Sequence, residues 1–225
     1  IMFKRFSICY ILLMFCITGT SAQEDRWTGN ATNLSKGNLR VNSSGRYLEY
    51  SDGTPFLYIG DTAWELISRL NDKETELYLE NRREKGFTVI QTVILDELDD
   101  MDVSSNGEPK LIDGNIDKPA PGYFTHVDKV ISLAAAKGLY IALLPTWGDK
   151  VDKQWGKGPE IFTPENAYRY GKWLGERYMN ASNLIWIIGG DRSGDGKNFA
   201  IWNALATGIK SVDKNHLMTY HPHGE

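Results

Sequence analysis

The chain has 225 residues, of which 41% are hydrophobic, and this is enough to build an ordinary globular core. Its formal net charge is −4 and no basic stripe is present, which argues against nucleic acid and anionic lipid as partners. Both cysteines, Cys9 and Cys16, lie near the N-terminus. The remaining residues can therefore hold no disulfide, thiolate metal site or cysteine nucleophile.

Residues 1–22 have the pattern of an export signal peptide. Two basic residues precede an apolar stretch at residues 6–17, and small residues follow up to Ala22. The apolar stretch is shorter than the roughly 20 residues that span a bilayer. We therefore expect cleavage before Gln23, an exported bacterial protein, and no membrane insertion afterwards. Cys16 leaves open a lipoprotein, although the residues before it are bulkier than a lipobox prefers.

Residues 23–46 are rich in Asn, Ser, Thr and Gly and predict a linker and entry segment. From residue 47 onwards, strands and helices alternate. Apolar runs predict strands at residues 55–60, 87–93, 139–145, 184–188 and 216–220. Helical spacing and capping patterns predict helices at residues 71–85, 123–137, 164–180 and 199–212. A long loop is expected at residues 96–122.

Strict strand–helix alternation predicts a parallel α/β sheet, either doubly wound or closed as a barrel. No glycine-rich phosphate fingerprint follows the first strand, which disfavours a dinucleotide-binding sheet. Polar residues at every strand end favour a (β/α)8 TIM barrel. Because only five strands precede Glu225, we expect residues 47–225 to form a truncated barrel. Its barrel-facing residues, such as Ile141, Leu143 and Ile187, should then be partly uncovered.

The most informative segment is the apolar run at residues 184–188 with the four residues that follow it. Gly189 and Gly190 allow a sharp turn, and Asp191 and Arg192 arrive at the carboxyl end of the strand. Parallel α/β folds place their chemistry at this end of the strands. We therefore expect the functional site here.

Side chains at the other strand ends should converge on the same rim. Several carboxylates with tryptophans suit a sugar, since indole faces stack on sugar rings and carboxylates bind hydroxyl groups. The predicted sugar-binding residues are Asp61, Trp64, Gln91, Trp147, Asp149, Arg192, His221 and His223. Glycoside hydrolysis needs two carboxyl groups that flank the scissile bond.

Several of these residues have simpler interpretations. Asp61 could cap a short helical turn, and Asp191 could simply pair with Arg192. Trp147 could belong to the core, although its position in a loop after a proline favours exposure.

Two further interpretations concern metal and packing. His221 and His223 could bind a metal together with Asp191, although such a histidine pair is a weak signal and no convincing third ligand is evident. The tryptophans in a loop or on helices are expected to pack rather than to bind; they are Trp155, Trp173 and Trp202.

Four segments in order resemble the apiosidase-like glycoside hydrolases; they are residues 60–64, 145–148, 187–191 and 219–223. That family consists of secreted bacterial (β/α)8 enzymes that act on apiose-containing side chains of pectin. The resemblance implies that Asp191 is the catalytic acid/base and that no metal or organic cofactor is needed. It places the second catalytic carboxylate on a later strand, beyond Glu225. The alternatives are a carbohydrate-binding protein without catalysis and a metal-dependent barrel hydrolase.

Overall fold

A computed structural model describes residues 28–97 and 104–224 of the protein. The predicted signal peptide, residues 1–22, and the beginning of the predicted linker lie outside the described residues. Within the described part of the chain, no helix combines the length and the apolar character that crossing a membrane requires.

The described residues form two sheets and the helices that cover the larger sheet. The strands are β1 (Leu39–Val41), β2 (Leu48–Tyr50), β3 (Pro55–Phe56), β4 (Gly60–Thr62), β5 (Val89–Leu95), β6 (Tyr140–Thr146), β7 (Leu184–Gly189) and β8 (Met218–His221). The helices are α1 (Leu66–Arg69), α2 (Asp72–Glu84), α3 (Pro121–Ala136), α4 (Pro164–Tyr178) and α5 (Phe199–Val212). Strands β1–β3 form a small antiparallel sheet, and β4–β8 pair in chain order as a parallel sheet. The predicted five-stranded partial barrel is confirmed.

The predicted first strand, residues 55–60, is wrong. Pro55 and Phe56 pair with β2 in the small sheet, and the parallel sheet begins only at Gly60. The residues between them are exposed, with Leu57 at 70%. One apolar run thus serves two sheets, and its composition does not show where the chain leaves one for the other. The predicted entry segment also contains β1.

Alternate residues of the central strands are buried on opposite faces of the parallel sheet. One set, which includes Ile90, Ile141 and Leu143, packs with the helices. The other set, which includes Val89 and Ile187, packs on the inner face with residues of the small sheet. Burial on both faces explains why these strands are continuously apolar.

The expectation that three barrel-facing residues are partly uncovered is therefore wrong. Ile141 and Leu143 face the helices rather than the inside of the barrel, and both are fully buried. Ile187 faces the inside but is also buried, because it belongs to the cluster that includes residues of the small sheet.

A buried carboxylate fixes the segment between α5 and β8. Asp213 accepts hydrogen bonds from Trp186 Nε1 at 2.7 Å and from His216 Nδ1 at 2.6 Å. His216 Nε2 donates to the carbonyl of Ala181 at 2.6 Å. Burial alone would raise the pKa of Asp213, but the bonds from His216 and Trp186 outweigh it and lower that pKa. The network joins the segment between α5 and β8 to Trp186 on β7.

Replacing Asp213 with Asn should destabilise the fold by about 3 kcal/mol at pH 7, because His216 and Trp186 lose their anionic partner. Since the folded-state pKa of Asp213 is lowered, its stabilisation is complete above pH ~4 and declines as the pH falls further. Urea unfolding between pH 7 and pH 3 measures the free energy of unfolding of both proteins. The difference in this free energy between wild type and Asp213→Asn should become smaller as the pH falls. Asp117→Asn, which breaks an exposed pair with Arg169, should cost much less. If this difference in free energy stayed constant over that pH range, it would contradict the stabilising role of ionised Asp213.

Candidate active site

The turn after β7 requires two glycines because it inserts between the ends of β6 and β8. Gly190 donates its N–H to the His221 carbonyl at 3.1 Å, and its own carbonyl accepts from Gly148 at 3.0 Å. A Cβ atom on Gly189 would lie 2.3 Å from the His221 oxygen, and one on Gly190 would lie 2.8 Å from the Gly148 nitrogen. Asp191 is thereby held at the rim where three strands end.

Asp191 has a left-handed backbone, with φ at +54°. Aspartate tolerates this conformation better than most residues, and such outliers concentrate at functional sites. Its side chain is 41% exposed, and Oδ1 lies 3.4 Å from Nδ1 of His221. A reachable carboxyl group beside an imidazole is suited to proton transfer.

Three rings form an aromatic cluster next to Asp191. The ring centres of Trp64, Trp147 and His221 lie 5.1 to 5.5 Å apart. Trp64 is half-buried, whereas Trp147 is only 4% exposed, so the expected exposure of Trp147 is wrong. Trp147 is buried because it packs with the inner-face residues of the barrel.

A cleft with about 360 Å³ of empty space opens beside these rings. It is lined by Trp64, Glu65, Val93, Asp96, Glu97 and Trp147. Gln91 lies two residues before Val93 on β5 and is half-buried, deeper on the same face of the sheet. The cleft therefore joins the ends of β5 and β6 with the segment that follows β4.

Glu97 is a carboxyl group of this cleft that sequence reasoning missed. Burial raises its pKa, and the negative charges of Asp149 and Asp191 raise it further, while Arg192 and Lys150 act in the opposite direction. The signal was available, since Glu97 comes two residues after a buried strand. It was overlooked because the acidic segment that follows β5 was assigned to a loop as a whole.

A buried ion pair fixes the end of β5. Lys110 Nζ lies 2.5 Å from Oδ2 of Asp96, and the hydroxyl of Ser68 donates to the same oxygen. Both charged side chains are fully buried. The pair connects the loop before α3 and the short helix α1 to the segment after β5 that carries Glu97.

Asp61 lies away from the cleft and faces α2. Its carboxylate accepts from the Tyr78 hydroxyl at 2.7 Å and from Arg82 Nε. Burial opposes ionisation, but these hydrogen bonds outweigh it and lower the pKa of Asp61. The alternative of a helix cap is wrong, because Glu65 occupies the N-cap position of α1. Contact between Asp61 and sugar stays a prediction.

Asp149 is fully buried in the loop after β6. Its Oδ2 accepts from Lys150 Nζ at 2.9 Å and from the Gly158 N–H at 2.8 Å. These contacts fold the loop on itself and favour a structural role. Its predicted contact with sugar stays a prediction.

Arg192 is also fully buried and holds the same loop. Its guanidinium donates to the main-chain carbonyls of Asp152, Lys153 and Asp191 at 2.5 to 2.8 Å. The alternative of a simple Asp191–Arg192 ion pair is wrong, because the guanidinium contacts the carbonyl of Asp191, whereas the carboxylate lies beside His221. Direct contact of Arg192 with sugar stays a prediction.

The two histidines separate at the rim. His221 adjoins Asp191, whereas the His223 ring lies 5.2 Å from that of Trp155. In the described ranges, no three His, Cys, Asp or Glu side chains form a group that could hold a metal ion. The metal-site alternative thus has no assembled ligand set there.

The three tryptophans expected to pack behave differently. Trp202 is buried and Trp173 packs against the core, as predicted. The prediction is wrong for Trp155, which is 58% exposed at the rim.

Comparison with known proteins shows the family of this chain. Residues 42–225 match the apiosidase-like catalytic domain. A solved structure named as a glycoside hydrolase is 42% identical, with a TM-score of 0.75 over 85% of this chain. A structure named as a family 5 glycoside hydrolase from Bacteroides vulgatus is 36% identical, with a TM-score of 0.76 over 85% of this chain.

A more distant structure and the chain lengths complete the comparison. The catalytic domain of an endoglucanase from Thermobifida fusca is 14% identical, with a TM-score of 0.52 over 86% of this chain and 57% of its own, and shows the fold alone. The chain spans 42% and 41% of the two more similar solved chains. No curated protein matches.

The raised pKa of Glu97 gives a direct test of the site's electrostatics. Asp191→Asn removes a neighbouring negative charge, so the pKa of Glu97 should fall towards its ordinary value. The measurement is a carbon-13 NMR titration of the Glu97 carboxyl carbon. Glu165→Gln, on the remote helix α4, should leave the titration unchanged. An identical titration in the Asp191→Asn variant would show that the two carboxyl groups do not interact.

Proposed function

The chain belongs to the apiosidase-like catalytic-domain family, and on that premise we propose that the whole protein hydrolyses glycosidic bonds in apiose-containing pectic glycans. The observation that carries the proposal is the position of Asp191. A partly exposed carboxylate stands at the carboxyl end of β7, beside His221 and the Trp64–Trp147 pair. This is the arrangement that a glycosidase needs for proton delivery next to a bound sugar.

In the proposed reaction, protonated Asp191 gives its proton to the glycosidic oxygen as the bond from that oxygen to the anomeric carbon breaks. Water supplies the hydroxyl group that the anomeric carbon gains, and its remaining proton returns to a carboxylate. From the resemblance to the family, we expect the second catalytic carboxyl group on a later strand. His221, at 3.4 Å, orients the Asp191 carboxyl group.

The other predicted site residues divide into two groups in this proposal. Trp64, Gln91, His221 and His223 contact sugar, because they lie in the cleft, on its inner wall or at the exposed rim. Buried residues hold these groups in position; they are Trp147, Asp149 and Arg192. Asp61 anchors β4 to α2 through Tyr78 and Arg82.

We also propose that the protein is exported. The support is the basic, apolar and small-residue order of residues 1–22, and export would bring the enzyme to plant polysaccharides that a bacterium cannot take up whole.

Expression in a bacterial host should yield a processed protein that begins at Gln23. Intact-mass and N-terminal peptide mass spectrometry of exported material would measure this directly. Ala22→Arg, which alters the cleavage site, should block processing. A lipid-modified Cys16 at the N-terminus would contradict the proposal and identify a lipoprotein.

Asp191→Asn in the whole protein should lower the turnover of apiose-containing pectic oligosaccharides by about 10²–10⁴-fold, because the proton donor is lost. An aryl glycoside with a good leaving group should be affected less, since its cleavage needs less protonation. Binding of the oligosaccharide should change little, because the lost interaction belongs mainly to the transition state.

The matched control is Asp195→Asn, four residues further on in the same loop and exposed, which should keep full activity. Near-wild-type turnover by folded Asp191→Asn would refute the catalytic role. Sugar binding without turnover by the wild type would identify a carbohydrate-binding protein instead.

A further inference from the structure

Trp155 is an exposed indole held in a fixed position at the rim. Its side chain is 58% exposed, yet its ring lies 4.2 Å from the guanidinium carbon of Arg192 and 5.2 Å from the ring of His223. A guanidinium stacked on an indole stabilises the ring position. The indole is thus ordered by its neighbours while much of its surface faces solvent.

Arg192 connects this indole to the site. The guanidinium is fully buried, and it bonds to the carbonyl of Asp191 as well as to the carbonyls of Asp152 and Lys153. Because Arg192 directly follows Asp191, a single side chain sets the distance between the proposed acid and the loop that presents Trp155.

The loop itself is tightly built. Gln154, directly before Trp155, has a left-handed backbone with φ at +40°, which costs energy for a residue other than glycine. On the other side, a Cβ atom on Gly156 would lie 2.2 Å from Cβ of Asp149. The Asp152 carboxylate is bound by Lys197 at 3.0 Å and by Asn198 at 3.2 Å.

An exposed indole contributes little to the hydrophobic core, so folding alone does not account for the strained backbone that presents it. Tryptophan is enriched at interfaces because its ring is apolar while its N–H can bond to a polar partner. A flat indole face beside an imidazole is suited to a sugar ring, which offers C–H groups to the indole and hydroxyl groups to the imidazole. A preformed platform also avoids the entropy cost of ordering a side chain on binding.

We propose that Trp155, Arg192 and His223 form a sugar platform, on which Trp155 stacks against a sugar ring of the substrate other than the ring whose bond Asp191 cleaves. The platform rests on the proposed function, because it assigns a second sugar position to the same site. It makes the protein selective for oligosaccharides over single-ring glycosides.

The test compares Trp155→Ala and Trp155→Tyr in the whole protein. On apiose-containing pectic oligosaccharides, Trp155→Ala should lower kcat/KM by about fivefold to tenfold through a higher KM, with kcat nearly unchanged. On 4-nitrophenyl apioside, kcat and KM should both stay within about twofold of the wild-type values, because this substrate has no second sugar ring to stack on Trp155. Trp155→Tyr should restore most of the affinity. Tyr47→Ala, which removes an exposed aromatic ring outside the site, is the control.

A binding measurement separates this inference from the proposed function. Calorimetric titration of the same oligosaccharides into Asp191→Asn, with and without Trp155→Ala, reports the platform without turnover. Weaker binding in the double variant supports the platform even if the wild type hydrolyses nothing, an outcome that would refute only the function. If the wild type is active, if Trp155→Ala does not change its KM, and if Trp155→Ala does not weaken binding by Asp191→Asn, only the platform would be refuted. Absence of both binding and turnover would refute both.

Discussion

The close approach of the turn after β7 to its two neighbours determines where the chemistry lies. Gly190 donates to the end of β8 and accepts from the residue after β6, so the main chain continues the pairing of the sheet beyond the strand itself. Only residues without a Cβ atom fit between those neighbours. Asp191 leaves this turn in a left-handed conformation, and its carboxyl group meets His221 from the next strand.

The buried polar groups around this turn hold the loops that surround the site. Arg192 satisfies main-chain carbonyls of the loop after β6, and Asp149 with Lys150 closes that loop from inside. The Asp96–Lys110 pair does the same for the segment after β5. Buried charges are costly unless they are paired or bonded, and here each is bonded to groups that determine a loop's path. The rim is therefore positioned by polar contacts, whereas the sheet beneath it is positioned by apolar burial.

The electrostatics of the cleft follow from the same geometry. Glu97 lines the cleft after β5, and the negative charges of Asp149 and Asp191, which follow the two neighbouring strands, act on it. Burial and mutual repulsion favour the protonated form of Glu97. Glycosidases depend on such an environment, because a carboxyl group that donates a proton near neutral pH needs a raised pKa. Glu97 is thus a carboxyl group of the cleft whose pKa is shifted in this direction.

The sequence by itself determined the alternation of strands and helices, the parallel sheet and the turn that carries Asp191. These features depend on local periodicity and on glycine, which are properties of neighbouring residues. Only the tertiary structure decided which side chains reach the cleft. Trp147 and Trp155 occur in one loop, yet Trp147 is buried against the inner face of the sheet. Trp155 is exposed to solvent and stacks on the guanidinium of Arg192. Composition cannot distinguish the buried tryptophan from the exposed one, because the burial of each side chain depends on which strand ends, distant in sequence, lie next to it. For the same reason, only the structure shows that the Asp61 side chain faces Tyr78 and Arg82 on α2.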